Sequence, residues 1–260
     1  MVDASGSRTL THMITPQPTS DSMQEPRRAP EAIAHRGVRD RYPENSLPAF
    51  VAALDAGADA IELDVHASRD GVPIVHHDPT LPASSESPLA GRAITALDSS
   101  ELASFELASG VIIPTLQEVL IAVISRARVY IEIKGPDIEQ HVANVLAGVQ
   151  DAEASCAVHS FDHRIIQRFR AIAPKIPTGI LLVGYPVNAA SLLGSVGAHD
   201  LWESHEFIDQ DMVSSIHRAG GRVIAWTSND PSDWKRLAKL GVDGICTDRT
   251  AALVAWMNNE

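Results

Sequence analysis

From residue 31 onward, short apolar runs of β type alternate with amphipathic stretches of helical period, the pattern of a parallel α/β fold. The runs predict strands over 31–35, 60–65, 129–133, 156–160, 178–183, 200–203, 222–226 and 243–247. The periodic stretches predict helices over 46–56, 115–126, 138–150, 163–172, 188–196, 209–219, 231–239 and 249–257. Eight strands alternating with eight helices point to a closed (β/α)8 TIM barrel, because an open doubly wound sheet typically has fewer strands. Local signals mark the boundaries. Pro43-Glu44-Asn45-Ser46 supplies cap chemistry ahead of the first helix and Gly57 closes it; Asp209, Gly220-Gly221 and Gly241 punctuate later units in the same way. The alternation stalls once, between Gly71 and Pro114. In a barrel, an insertion after the second strand lies on the catalytic face and commonly serves as a lid or specificity loop.

A barrel strand points alternate side chains inward, so its C-terminal inward positions converge on the mouth. In the second strand Ile61, Leu63 and Val65 share one face, while Glu62 and Asp64 share the other. In the third strand Ile131 and Ile133 oppose Tyr130, Glu132 and Lys134. Neighbouring strands lie about 4.8 Å apart, which brings Glu132 beside the first two acids. Each contacting carboxylate pair repels by about 4 kcal/mol at an effective dielectric of about 20, so the three need a cation or must protonate. A divalent metal is the simplest resolution, and all-oxygen ligands indicate a hard ion, Mg2+ or Ca2+, with Mg2+ the first expectation. The competing reading is an ion-pair network in which Arg36 and Lys134 neutralise the acids.

Histidines supply a second constellation. His35 ends the first strand before Arg36-Gly37, and His77 follows the extended run Val72 to His76 and precedes Asp78. Phosphodiester hydrolysis needs one group to accept a proton from the attacking oxygen and another to give one to the leaving oxygen; two histidines flanking a metal-bound phosphate meet that need. His66, His159, His163, His199, His205 and His217 read as structural. Glu203 and His205, at the end of the sixth strand, read as solvated loop.

With 260 residues, 45% of them apolar, the chain can bury one sizeable core, so we expect residues 29–260 to form one barrel domain. Residues 1–28, rich in Ser, Thr, Pro and Gln without periodicity, read as a disordered tail. The net charge of −12 repels polyanions, and the longest basic cluster is Arg27-Arg28, which argues against nucleic acid or stable membrane association. Cys156 and Cys246 are read as two buried reduced thiols. No apolar run approaches the roughly 18 residues needed to span a bilayer and no leader pattern opens the chain, so the expectation is a soluble, cytoplasmic protein acting on a small molecule.

These residues, in order along the chain, resemble the glycerophosphodiester phosphodiesterase family. His35-Arg36-Gly37 with Pro43-Glu44-Asn45-Ser46 is similar to that family's His-Arg-Gly and Pro-Glu-Asn-Thr elements, with Ser46 in the Thr position. Gly57-Ala58-Asp59-Ala60-Ile61-Glu62-Leu63-Asp64-Val65 looks like its Gly-Ala-Asp and Glu-x-Asp strand. Asp70-Gly71 through His77-Asp78-Pro79-Thr80-Leu81 is similar to its Asp-Gly and His-Asp-x-x-Leu segment. Pro114-Thr115-Leu116, Glu132-Ile133-Lys134, Ser160-Phe161, Ala225-Trp226-Thr227 and Gly241-Val242-Asp243-Gly244 to Thr247-Asp248 complete the set.

The resemblance implies hydrolysis of glycerophosphodiesters to glycerol 3-phosphate and an alcohol. Glu62, Asp64 and Glu132 would ligate the metal and His35 and His77 would act as acid and base. It further implies that Arg36 and Lys134 hold phosphate oxygens, that Glu44 supports Arg36 or the metal shell, and that Trp226 walls the substrate pocket. After Leu81 the chain departs from the family pattern with Pro82-Ala83-Ser84-Ser85-Glu86-Ser87-Pro88, in the segment expected to select the alcohol. Two other readings are a lysophospholipid head-group phosphodiesterase, favoured by an apolar groove over 79–114, and a catalytically silent barrel that binds phosphorylated metabolites.

Overall fold

The computed structural model describes Met1 and residues 29–108 and 110–259; the tail expected over 1–28 lies, Met1 aside, outside the described residues. Eight parallel strands follow in chain order: β1 (Glu31–His35), β2 (Ala60–Ala67), β3 (Arg128–Ile133), β4 (Cys156–Ser160), β5 (Thr178–Leu182), β6 (Asp200–Ser204), β7 (Arg222–Trp226) and β8 (Gly244–Thr247). Each pairs with the next, and β8 pairs with β1, which closes the barrel. The helices that follow them are α1 (Leu47–Asp55), α2 (Leu116–Val123), α3 (Glu139–Gly148), α4 (His163–Ile172), α5 (Ala189–Val196), α6 (Gln210–Arg218), α7 (Pro231–Leu240) and α8 (Thr250–Met257). All the expected strands and helices are present, with bounds shifted by a few residues at most.

The helices start where capping chemistry allows. Ser46, Asp162, Asn188, Asp209 and Asp230 each accept a backbone N–H of the first helical turn, and Thr115 forms a capping box with Glu118. The strand alternation separates two cores. Outward-facing Ala32, Ala34, Ile61, Leu63, Val65, Val129, Ile131 and Ile133 pack under the helices. Inward-facing Ile33, Ala60, Tyr130, Ala157, Leu181, Trp202, Ile224 and Cys246 fill the barrel itself. Each fully buried Ile or Leu contributes roughly 1.5–3 kcal/mol, so this alternation fixes which face of every strand looks inward.

At the N-terminal end of the barrel the interior turns polar. Arg222 donates to the Tyr130 hydroxyl (3.0 Å) and to Glu31 (2.9 Å), the Tyr130 hydroxyl donates to Glu31 (2.6 Å), and Arg222 lies 3.7 Å from Asp200.

The insertion leaves β2 at its C-terminal end and folds onto the barrel. Its strand Pro73–Val75 pairs antiparallel with β2, with Val65 opposite Val75. A one-turn helix, Ser99–Leu102, and a hairpin of Glu106–Ala108 and Val111–Ile112 follow. Ile74, Leu81, Ile94, Leu97, Leu102, Phe105 and Ile113 form a small core of their own, with Leu89 and Leu107 packed at its edge. The scattered apolar residues of this segment are therefore spent on packing. Among the described residues no helix is long and apolar enough to cross a membrane.

Candidate active site

Strand register assembles the acids. His35 at the end of β1 stands opposite Glu62, Asp64 opposite Glu132, and Glu132 opposite His159 on β4. A cavity of about 110 Å³ opens at the C-terminal end of the barrel, lined by His35, Arg36, Glu62, His77, Glu132, Lys134 and Trp226. All seven are residues singled out from the sequence. His159, read as structural from the sequence, and Phe161, from the Ser160-Phe161 element, also line it.

The turn after β1 has little freedom. Arg36 adopts a left-handed backbone (φ 57°), as does Gly37 (φ 83°), where a Cβ would meet the Ala49 backbone at 2.6 Å, so only glycine fits. The turn delivers Arg36 Nε to 3.0 Å from Asp64 and its Nη1 to 3.0 Å from Glu44. Glu44 also pairs with Arg39 at 3.1 Å, which holds it beside Arg36. Asn45, wholly buried, donates to Asp64 Oδ2 (2.9 Å) and accepts the Asp64 N–H (3.3 Å).

Electrostatics divide the three acids. Burial disfavours the Asp64 charge, yet Arg36, Lys134 at 3.5 Å and Asn45 together hold its carboxyl below the usual range. The ion-pair reading thus describes Asp64. Glu62 and Glu132 are pushed up instead, by burial first and then by the Asp64 charge, although Lys134 lies 3.2 Å from Glu132. Glu62 Oε2 and Asp64 Oδ1 are buried without a hydrogen-bond partner. Three buried carboxylates against two cationic side chains leave negative charge and open oxygen lone pairs, which suits a divalent cation. Among the described residues, Glu62, Glu132 and His159 each offer one donor atom within 4.8 Å of the others.

Each candidate acid–base histidine is tied through Nδ1 to a carboxylate. His35 Nδ1 lies 2.7 Å from Asp248 and His77 Nδ1 lies 2.8 Å from Asp78, an arrangement that leaves Nε2 of each ring for proton transfer. Asp248 also accepts from Asn229 (2.8 Å) and Arg39 (3.2 Å). Although burial opposes its charge, the hydrogen bonds from His35 and Asn229 hold its carboxyl well below the usual range. His66 donates through Nε2 to the His77 carbonyl (3.0 Å) and so fixes the backbone of that residue.

Sequence reasoning passed over Asn45, Asn229 and any role for Asp248, whose only signal was the Thr247-Asp248 element at the end of β8. His163, His199 and His217 keep to structural contacts, with the Leu181 carbonyl, Asp200 and Asp243. His159 departs from that expectation: strand parity turns it inward onto the acids, 3.8 Å from Glu62, and burial lowers its pKa to about 4. Glu203 is likewise not solvated. It is wholly buried on the outward face of β6, where it accepts the Gly184 and Ser204 N–H groups, and burial raises its pKa to about 7. Both cysteines are free and buried, as expected.

Residues 35–252 match the model of the glycerophosphoryl diester phosphodiesterase family. A glycerophosphodiester phosphodiesterase of Caldanaerobacter subterraneus subsp. tengcongensis is 30% identical over 232 residues, covering 85% of this chain and 95% of its own length. Another, from Bacillus altitudinis, is 31% identical over 230 residues, covering 83% and 93%. Among solved structures, a phosphodiesterase of Oleispira antarctica in complex with the product sn-glycerol-3-phosphate has a TM-score of 0.80 at 26% identity, over 88% of this chain and 97% of that one. The family match begins at His35 and runs into α8, so it takes in every residue at the barrel mouth, and the chain belongs to the glycerophosphoryl diester phosphodiesterase family.

Proposed function

We propose that this protein hydrolyses glycerophosphodiesters to glycerol 3-phosphate and an alcohol, in a metal-dependent reaction with His35 and His77 as the acid–base pair. The observation that carries the reading is the pair of carboxylate-tethered imidazoles lining one cavity with Glu62 and Glu132. Glu62, Asp64 and Glu132 would hold one divalent cation, expected as Mg2+ or Ca2+, which supplies positive charge to polarise the phosphoryl group.

The protein's own groups do the rest. Arg36 is anchored through Nε and Nη1, which leaves Nη2 to bind a phosphate oxygen, and the Lys134 ammonium offers a second charge-assisted donor. One histidine takes the proton of the attacking oxygen, from water or from the glycerol 2-hydroxyl, and the other protonates the leaving alcohol; in the second case the cyclic phosphate so formed is then opened by water to glycerol 3-phosphate. Each histidine contributes about 10²–10⁴ in rate. Trp226, edge-on to Phe161 at 5.4 Å, walls the substrate cavity.

A second reading, a lysophospholipid head-group phosphodiesterase, draws on the exposed apolar side chains at the mouth: Phe161 after β4, and Val183, Tyr185 and Val187 after β5. One experiment addresses both. Glycerol 3-phosphate or lysophosphatidate release is measured from a panel of glycerophosphodiesters and lysophospholipids, with Mg2+, Ca2+, Co2+ or chelator, for wild type and His77→Ala. Metal-dependent turnover of glycerophosphodiesters, lost in the variant, supports the proposal. Turnover of lysophospholipids alone moves the second reading forward, and no turnover despite metal binding overturns both.

A further inference from the structure

His159 occupies the inward position of β4 beside Glu132, with its Nε2 3.8 Å from Glu62 Oε1. It is almost completely buried, and its other ring nitrogen, Nδ1, has no hydrogen-bond partner. The ring is held on two sides: it stacks on Trp202 with centroids 4.3 Å apart and planes 8° from parallel, and it meets the Tyr130 ring edge-on at 6.4 Å. A histidine that only filled the barrel would gain from apolar neighbours on every side. This one is fixed by aromatic packing with a nitrogen toward two carboxylates, one of which, Glu62, keeps an unpartnered buried oxygen.

Donors sharing one ion at 2.0–2.2 Å stand about 3–3.5 Å apart, so a few tenths of an ångström separates the Glu62–His159 spacing from a ligating one. A nitrogen also changes which ion the site prefers. Carboxylates and water suit Mg2+ and Ca2+, whereas imidazole favours the later first-row transition metals.

We infer that His159 is a nitrogen ligand to the divalent ion held by Glu62 and Glu132, and that it turns the site from Mg2+ or Ca2+ toward a transition metal such as Co2+. The inference rests on the reading of these acids as the metal site and goes beyond the carboxylate set expected from the sequence. It makes His159 the residue that decides the identity of the ion.

The test uses the full-length protein and metal alone. Electron spin-echo modulation of bound Mn2+ detects a coordinated 14N nucleus, and calorimetry gives the affinities for Co2+ and Mg2+. The expected result is 14N modulation in wild type that persists in His35→Gln and His77→Gln and vanishes in His159→Gln. Co2+ affinity should fall at least about tenfold in His159→Gln, with Mg2+ affinity changing less than about threefold. If His159→Gln does not fold, the wild-type, His35→Gln and His77→Gln spectra decide the matter.

Bound Mn2+ without 14N modulation in wild type overturns the inference while leaving the carboxylate site standing. Modulation lost in His35→Gln or His77→Gln, or an equal loss of Co2+ and Mg2+ affinity, also overturns it. A wild-type protein that takes up no divalent ion overturns the metal reading as well.

Discussion

His35 Nδ1 and Asp248 Oδ1 stand 2.7 Å apart across the junction where β8 meets β1, joining residues 213 positions apart in the chain. The contact fixes the ring orientation and, with the Nδ1 proton against the carboxylate, leaves Nε2 for the proposed proton transfer. In the proposed mechanism Asp248 positions His35. Asp248→Asn is expected to lower kcat by about 10²–10⁴, no more than His35→Ala does, with KM little changed. A variant with unchanged kcat and a loss only in folded yield would reduce Asp248 to a structural role.

Buried carboxylates with open oxygens should bind a divalent ion at the expense of the unfolded state. With the preferred ion at about 100 times its Kd, folding is expected to gain about 2.7 kcal/mol. Thermal unfolding with and without chelator measures this. Glu62→Gln should lose most of the gain, and in chelator it should melt above wild type because one buried charge is gone. Equal metal-induced shifts in wild type and Glu62→Gln would move the ion elsewhere.

Glu203 predicts a pH dependence of stability distinct from that of activity. Burial raises its folded pKa from 4.5 to about 7. Below 4.5 both states hold the proton and the group contributes nothing. Between 4.5 and about 7 the unfolded chain releases the proton while the folded chain keeps it, so stability falls as pH rises through that window and stays reduced above it. Glu203→Gln keeps an acceptor for the Gly184 and Ser204 N–H groups without the charge. It should therefore raise Tm at pH 8 and leave it nearly unchanged at pH 4; a Tm gain of equal size at both values would count against the assignment.

At the opposite end of the barrel, Arg222 is shared by Glu31, Tyr130 and Asp200. Removing it leaves the almost fully buried Asp200 with only His199 beside it and the partly buried Glu31 with only Arg128 as a cation, at 3.9 Å. Arg222→Met is expected to cost about 3 kcal/mol in urea unfolding, with kcat of the folded enzyme within about twofold of wild type. A comparable fall in kcat would link the bottom of the barrel to the site.

Much of the molecule could be read one residue at a time. The period-two alternation in Ala60–Ala67 and Arg128–Ile133 placed Glu62, Asp64 and Glu132 on the inward face before any pairing was known, because side-chain direction in a strand is a local property. Capping residues such as Ser46, Asp209 and Asp230 marked helix starts for the same reason. The insertion was harder: the apolar residues of 71–114 have no sustained period, and their small core forms only when Ile74 pairs against β2 and gathers Leu81, Ile94 and Phe105.

The sequence by itself determined the eight-unit barrel and the inward acids, which follow from periodicities over a few residues, and marked two histidines by their place at a strand end and beside Asp78. Only the tertiary structure decided the charge state and company of those residues. Barrel closure brought Asp248 to His35, packing aimed one otherwise unmarked histidine, His159, at the acids, and burial divided Asp64 from Glu62 and Glu132. The physical reason is that strand direction is set by neighbours in the chain, whereas desolvation and ion pairing are set by neighbours in space, which register and closure alone supply.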